Sequence, residues 1–203
     1  MYKTFLTSFI FALISSFLQA QEPNTKAPVL KLDLEINGEK YEILDGESIV
    51  VNGNTIKVNS SNFLSFDYSA LKFDYPKHFA FEYDEDFGYK NWTLDGNDFV
   101  IMYFEYTEKI ALDLFINQMV NQFGKENCNV VDKKIQLGNQ TLIGKRINVD
   151  IVGVKLTYDM YKIEASDNNT HFISFQDSKN DDGSDSQEGI NTLELINKTF
   201  KVK

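Results

Sequence analysis

The sequence predicts an α+β protein: an antiparallel β-sheet with two main helices packed on it, preceded by a short β-hairpin meander. Three observations carry this. Alternating apolar and polar runs are divided by Asn-Gly, Asp-Gly and Gly-Asn pairs, the residues that tight hairpin turns require. Only two stretches repeat apolar residues at three- and four-residue steps. Those stretches are separated in the chain from the runs of strands rather than alternating with single strands, which excludes a parallel βαβ arrangement.

The chain opens MYKTFLTSFIFALISSFLQA, a layout with a basic n-region at Lys3, an apolar run over Phe5 to Leu18 and a small residue at Ala20. This order predicts a secretory signal peptide over residues 1–20. The apolar run is short against the ~20 residues of a spanning helix. No cysteine follows the expected cleavage point, which argues against lipid attachment there. Residues 21–28, QEPNTKAP, read as a flexible leader. The expected destination is outside the cytoplasm, periplasmic or extracellular. Richness in Asn, Lys, Ile and Phe suggests a bacterial source.

From residue 29 the text alternates. Leu30, Leu32, Leu34 and Ile36 share one strand face, and Asn37-Gly38, Asp45-Gly46 and Asn52-Gly53 mark three turns. Residues 29–60 therefore form the hairpin meander. The main domain, 61–203, begins with Leu71, Phe73 and Tyr75, interrupted at Pro76, and resumes with Phe79, Phe81 and Tyr83. Trp92 and Leu94 lead to a turn at 95–97, and Phe99 to Tyr106 reads as a strand buried on both faces.

The first helix is expected to start at a Thr107 N-cap and to stop at a left-handed Gly124. Leu112, Phe115, Ile116, Met119, Val120 and Phe123 form its apolar stripe. Strands follow over 130–137, 142–152, 154–164 and 171–176. The second helix is expected to open with a capping pair of Asp185 and Glu188 and to bury Ile190, Leu193, Leu195 and Ile196.

A Y-P-K-x-F strand (Tyr75 to Phe79), a W-x-L hairpin, a capped helix, a strand meander and a last helix ending in T-F-K resemble the PsbP-like superfamily over residues 71–202. The resemblance implies an αβα sandwich acting as a binding or assembly module. It carries over no catalytic residues, and the meander at 29–60 departs from it.

Charge and composition narrow the function. With 30 acidic against 20 basic residues the net charge is −10, which repels nucleic acid and anionic lipid. Cys128 is the only cysteine, so neither an internal disulfide nor a zinc cluster can be built, and it reads as a small buried hydrophobe. No nucleophile elbow, H-E-x-x-H or phosphate loop occurs. His78 and His171 stand without an assignable triad, so no catalytic residue, cofactor or metal is assigned.

Two chemistries stay open beside a binding role. Glu82, Asp84, Glu85 and Asp86 supply carboxylates for a hydrolase, with Glu82 or Asp86 as members, although four acids together more often make a solvated face. The loop DSKNDDGSDSQEG suggests calcium, but placing Gly183 at the sixth position of an EF-hand puts Ser178 first and Gly189 twelfth, both unsuited as ligands. A looser oxygen site from Asp181, Asp182 and Asp185 is the remaining calcium reading.

The stretch FEYDEDFGYKNWTLDGNDFVIMYFEY, residues 81–106, holds nine aromatic and seven acidic residues. Phe81, Tyr83, Phe99, Ile101 and Tyr103 follow strand alternation toward a core. Tyr83, Phe87, Tyr89 and Trp92 are the candidate ligand-binding residues, because flat exposed rings stack on sugars or fill a partner's groove. Packing in the core or at its rim is the competing reading. The expected function is an exported non-catalytic binding or assembly module for a protein or an envelope glycan.

Overall fold

The computed structural model describes residues 30–203. The signal peptide and leader expected over 1–28 lie outside the described residues. Contacts divide the chain into two compact units at Ser60 and Ser61.

In the first unit, β1 (Lys31–Ile36) pairs with β2 (Glu39–Leu44), and β3 (Ser48–Val51) pairs with β4 (Asn54–Lys57). The meander is thus two separate hairpins. Asn37 and Gly38 take φ of 54° and 87°, and Asn52 and Gly53 take 51° and 78°, the doubly positive turn that follows the twist of the strands. Between the hairpins, the Asp45 carboxylate accepts hydrogen bonds of 2.5 Å from both the backbone and the hydroxyl of Ser60.

The second unit contains β5 (Phe63–Tyr68), β6 (Leu71–Pro76), β7 (Ala80–Asp86), β8 (Tyr89–Asp95) and β9 (Phe99–Tyr106). These are followed by α1 (Leu112–Phe123), β10 (Cys128–Leu137), β11 (Gln140–Ile151), β12 (Val154–Ile163), β13 (Thr170–Ser178), α2 (Gln187–Thr199) and β14 (Lys201–Val202). Seven strands form one antiparallel sheet in the order β10-β11-β12-β13-β9-β8-β7, and β14-β6-β5 form a second sheet.

This architecture corrects the expected fold class. The described residues are 56% strand and 16% helix, a β-rich fold and not an α+β sandwich of two helices on a sheet. The reason is geometric. A seven-stranded sheet is ~29 Å wide at ~4.8 Å per strand, whereas one helix covers only ~10 Å. On one face α1 lays Leu112, Phe115, Ile116, Met119, Val120 and Phe123 against Ile147, Val149, Tyr158 and Met160. On the other face the second sheet shares the cover with α2. Phe66, Leu71, Phe73 and Tyr75 join Ile196 and Phe200 against Leu94, Ile101, Tyr103, Tyr161, Ile173 and Phe175.

The helix ends also differ from expectation. The N-cap of α1 is Ala111, without a side-chain cap, while Thr107 donates its N–H to Gly88 O at 3.0 Å. Gly124 has φ 89° but an extended ψ of 129°, so it stops the helix outside the left-handed helical region. In α2 the cap is Ser186, whose Oγ accepts the Gly189 N–H at 2.9 Å. Glu188 instead accepts the backbone N–H groups of Asp98 and Phe99 at 2.6 and 3.0 Å, tying the helix start to the β8–β9 turn. The buried face of α2 is Gly189, Thr192 and Ile196; Ile190 is exposed.

Charged groups brace the same helix start. Ser186 Oγ donates to Asp177 at 2.5 Å, and Lys179 pairs with both Asp177 and Asp185. Nearby, Arg146 grips Asp159 through two parallel bonds of 2.5 and 2.6 Å, a fork geometry that only a guanidinium supplies.

Two predictions follow from this packing. A Cβ built on Gly144 would sit 1.9 Å from the Met160 carbonyl oxygen of the neighbouring strand. Gly144→Ala is expected to cost about 3 kcal/mol or more, because backbone rather than a flexible side chain must move; a urea titration measures it. Hydrogen bonds from Lys203 and Lys72 hold the Asp67 carboxyl down to about 2. A depressed carboxyl stabilises the fold above its unfolded pKa of about 3.9, and that contribution is lost as pH falls through the folded value. Wild type is therefore expected to lose more stability than Asp67→Asn between pH 5 and pH 2.

Candidate functional site

Two strand edges end on the same side of the second unit. β7 closes one margin of the seven-stranded sheet, and β5 closes one margin of the three-stranded sheet. On β5, Leu64, Phe66 and Tyr68 alternate onto the inner face, opposite the buried Tyr75, Phe73 and Leu71 of β6. On β7, Phe81 and Tyr83 alternate onto the inner face, opposite Leu94 and Trp92 of β8. The inner faces meet through aromatic rings. Tyr68 lies 5.5 Å from Phe81 and 6.1 Å from Trp92, Tyr83 lies 5.3 Å from Trp92, and Phe66 stands edge-on to Trp92 at 6.3 Å.

This seam is not sealed. Phe66 and Trp92 are buried, but Leu64, Tyr68, Phe81 and Tyr83 are 41–47% exposed. Neither helix contributes a residue to this ring cluster, and all seven residues of β7 are exposed. The result is an apolar strip with solvent on one side and a rigid aromatic floor beneath. On the opposite face of β7, alternation places Glu82, Asp84 and Asp86, none of which has a cationic partner among the described residues.

Polar groups close one end of the strip. Tyr83 donates its hydroxyl to Glu85 at 2.6 Å, which pushes the phenol up to about 12. Glu85 faces Lys90 across the β7–β8 ladder, and Lys90 lies 3.7 Å from the buried Glu105. Glu105 also accepts from Asn169 Nδ2 at 2.9 Å and from the hydroxyl of Ser69. Ser69 sits in the β5–β6 turn with φ 48°, a left-handed conformation uncommon for a residue other than glycine.

Behind Ser69 lies His171, with no exposed surface. Its Nε2 is 2.8 Å from the Asp167 carboxylate and its Nδ1 is 2.8 Å from the Tyr103 hydroxyl. A carboxylate only accepts, so Nε2 carries a proton and donates to Asp167. The Tyr103 oxygen in turn accepts the Ala70 N–H at 3.2 Å. Burial pushes the Tyr103 phenol up to about 12. Burial also acts to raise Asp167, but bonds from His171 and Asn169 outweigh it and hold the carboxyl below its usual value. No buried polar side-chain atom of Asp167, His171, Tyr103 or Ser69 lacks a partner, so this network anchors the β5–β6 turn beneath the strip.

The four residues singled out in the sequence separate accordingly. Tyr83 is on the strip, and Trp92 is its buried floor rather than a free ring, 5% exposed and stacked on Tyr103 at 5.2 Å. Tyr89 is half-buried and its ring packs against Tyr106 at 5.2 Å. Phe87 is fully exposed at the tip of the β7–β8 turn. The strip residues that sequence reasoning missed are Leu64, Tyr68 and Phe81. Alternation predicts a core position for Phe81, whereas its ring is 43% exposed, because nothing local states that the core ends at that strand.

The other candidates have structural occupations. His78 is exposed and pairs with Glu188 at 2.7 Å. In the acidic loop, Asp182 accepts the Ser184 N–H at 2.9 Å and Asp185 pairs with Lys179. Among the described residues no group of three His, Cys, Asp or Glu is placed to hold a metal ion, and no helix is long and apolar enough to cross a membrane. Cys128 is half-buried on the wall of a cleft of about 340 Å³, and burial raises its thiol pKa. Neither protein-family models nor curated proteins give a match to the chain.

One prediction tests the anchor. Tyr103→Phe strands the Ala70 N–H and His171 Nδ1 in the interior, and is expected to cost ~1–3 kcal/mol. Tyr83→Phe removes only an exposed bond and is expected to stay within ~0.5 kcal/mol of wild type. Denaturant midpoints of the two variants measure the difference.

Proposed function

We propose that the protein is an exported, non-catalytic binding or assembly module that takes its ligand on the open strip between β5 and β7. The observation that carries this reading is the state of Tyr68, Phe81 and Tyr83. Their rings pack against one another or on Trp92, yet each remains nearly half exposed. Clustered rings on a rigid floor lose little conformational freedom on binding, which favours recognition of flat or apolar ligand surfaces. A protein segment and an envelope glycan both have that chemistry. The resemblance in element order to PsbP-like binding and assembly modules accords with this role, and the apolar segment at 5–18 supports export.

The test is recovery of partners from the native envelope with wild type, with Phe81→Ala/Tyr83→Ala, and with Leu114→Ala. Leu114 is an exposed apolar residue on α1, away from the ring cluster. The double variant is expected to lose the recovered ligand while Leu114→Ala keeps it. Equal recovery by all three overturns the assignment.

A further inference from the structure

We infer that the strip's ligand is a polypeptide that adds to β7 as an eighth strand, and that the added segment alternates basic and apolar residues. This rests on the strip being the binding surface and goes further by naming the partner's chemistry.

The backbone supplies the first reason. β7 pairs with β8 along one side only and ends the sheet order. Alternate residues of a terminal strand direct N–H and C=O groups outward, ready to pair with an incoming chain. Its ladder with β8 runs without a bulge from Ala80 opposite Asp95 to Asp86 opposite Tyr89. It contains no proline and no lysine, two of the usual devices that blunt such an edge. Seven residues is also at least the length of an ordinary strand.

The side chains supply the second reason. The inner face of β7 offers Phe81 and Tyr83, extended by Tyr68. Its outer face offers Glu82, Asp84 and Asp86. An added strand has period two, so one set of its side chains would meet rings and the other would meet carboxylates. Lysine or arginine alternating with apolar residues satisfies both faces. A second copy of the protein fits poorly. Pairing β7 with itself about Tyr83 would set Glu82 opposite Asp84 twice, and like charges facing across a ladder repel.

The probe is an acetylated, amidated Lys-Val-Lys-Val-Lys-Val-Lys heptapeptide, with a block-ordered peptide of the same composition and a Glu-for-Lys version as comparisons. Two further versions carry N-methyl groups on the lysines or on the valines. Titration calorimetry gives affinity, and hydrogen exchange of the β7 amides gives the mode. The alternating basic peptide is expected to bind and to slow exchange at alternate β7 amides. One N-methyl series is expected to lose at least ~10-fold in affinity, as removal of two or three hydrogen bonds implies. Glu82→Lys/Asp84→Lys, a change at exposed positions, is expected to weaken binding by a similar factor and to flatten its salt dependence.

Binding that tolerates both N-methyl series and leaves β7 exchange unchanged overturns strand addition. So does absence of peptide binding while envelope capture still depends on Phe81 and Tyr83, an outcome that leaves the strip as the ligand surface. Loss of both dependences removes the strip as well.

Discussion

A wide sheet must be covered on two faces, and this chain has too little helix to do it. α1 contributes 12 residues to one face and α2 contributes 13 to the other, where the β14-β6-β5 sheet makes up part of the deficit. The cover is complete over the middle strands, where Ile147, Met160, Phe172 and Ile173 have no solvent contact. It thins toward β7. The aromatic strip is the margin at which core-type side chains continue after their cover has stopped. The exposed strip thus follows from the same shortage that makes the fold β-rich.

Two polar clusters act at the ends of elements, while the Arg146–Asp159 pair links β11 and β12 in mid-strand. Ser186, Glu188, Asp177 and Lys179 fix where α2 begins and how it meets the β8–β9 turn. His171, Tyr103 and Ser69 fix the β5–β6 turn. Buried groups such as Asp177, Ser186, His171 and Tyr103 are costly when half satisfied and specifying when fully satisfied. The position of β5 over Trp92, and so the width of the strip, depends on that second cluster. Both clusters join segments that are remote in sequence, Ser69 to His171 and Asp98 to Glu188.

What the sequence reveals depends on how local the cause is. Asn37-Gly38 and Asn52-Gly53 announce their turns because only such residues accept two positive φ angles. The α1 stripe from Leu112 to Phe123 is legible because periodicity is a property of one segment. Caps were misjudged where several polar residues compete: Ser186 took the place assigned to Asp185, and Thr107 was drawn into a bond with Gly88. The fold class was misjudged because the number of strands, unlike the presence of a helix, determines how many layers are needed. In the site, Tyr83 lies on the exposed strip and Trp92 lies buried beneath it. Both lie in strands of alternating pattern, and only the strand order separates an interior neighbour from a margin. Leu64 and Tyr68 carried no signal, since their importance arises from β5 lying across β7 and β8.

The partnership of β6 with β14 has a temporal side. Leu71 pairs with Val202, the Asp74 N–H is held by Thr199 Oγ1 at 2.9 Å, and the Ala70 carbonyl accepts from Lys203 N. Chains made or threaded amino end first present Leu71, Phe73 and Tyr75 well before these mates arrive. Pairings so distant along the chain form slowly. Until residues past 190 emerge, the nascent polypeptide carries an oily, half-clad ribbon that a holding chaperone or a narrow conduit would have to shield.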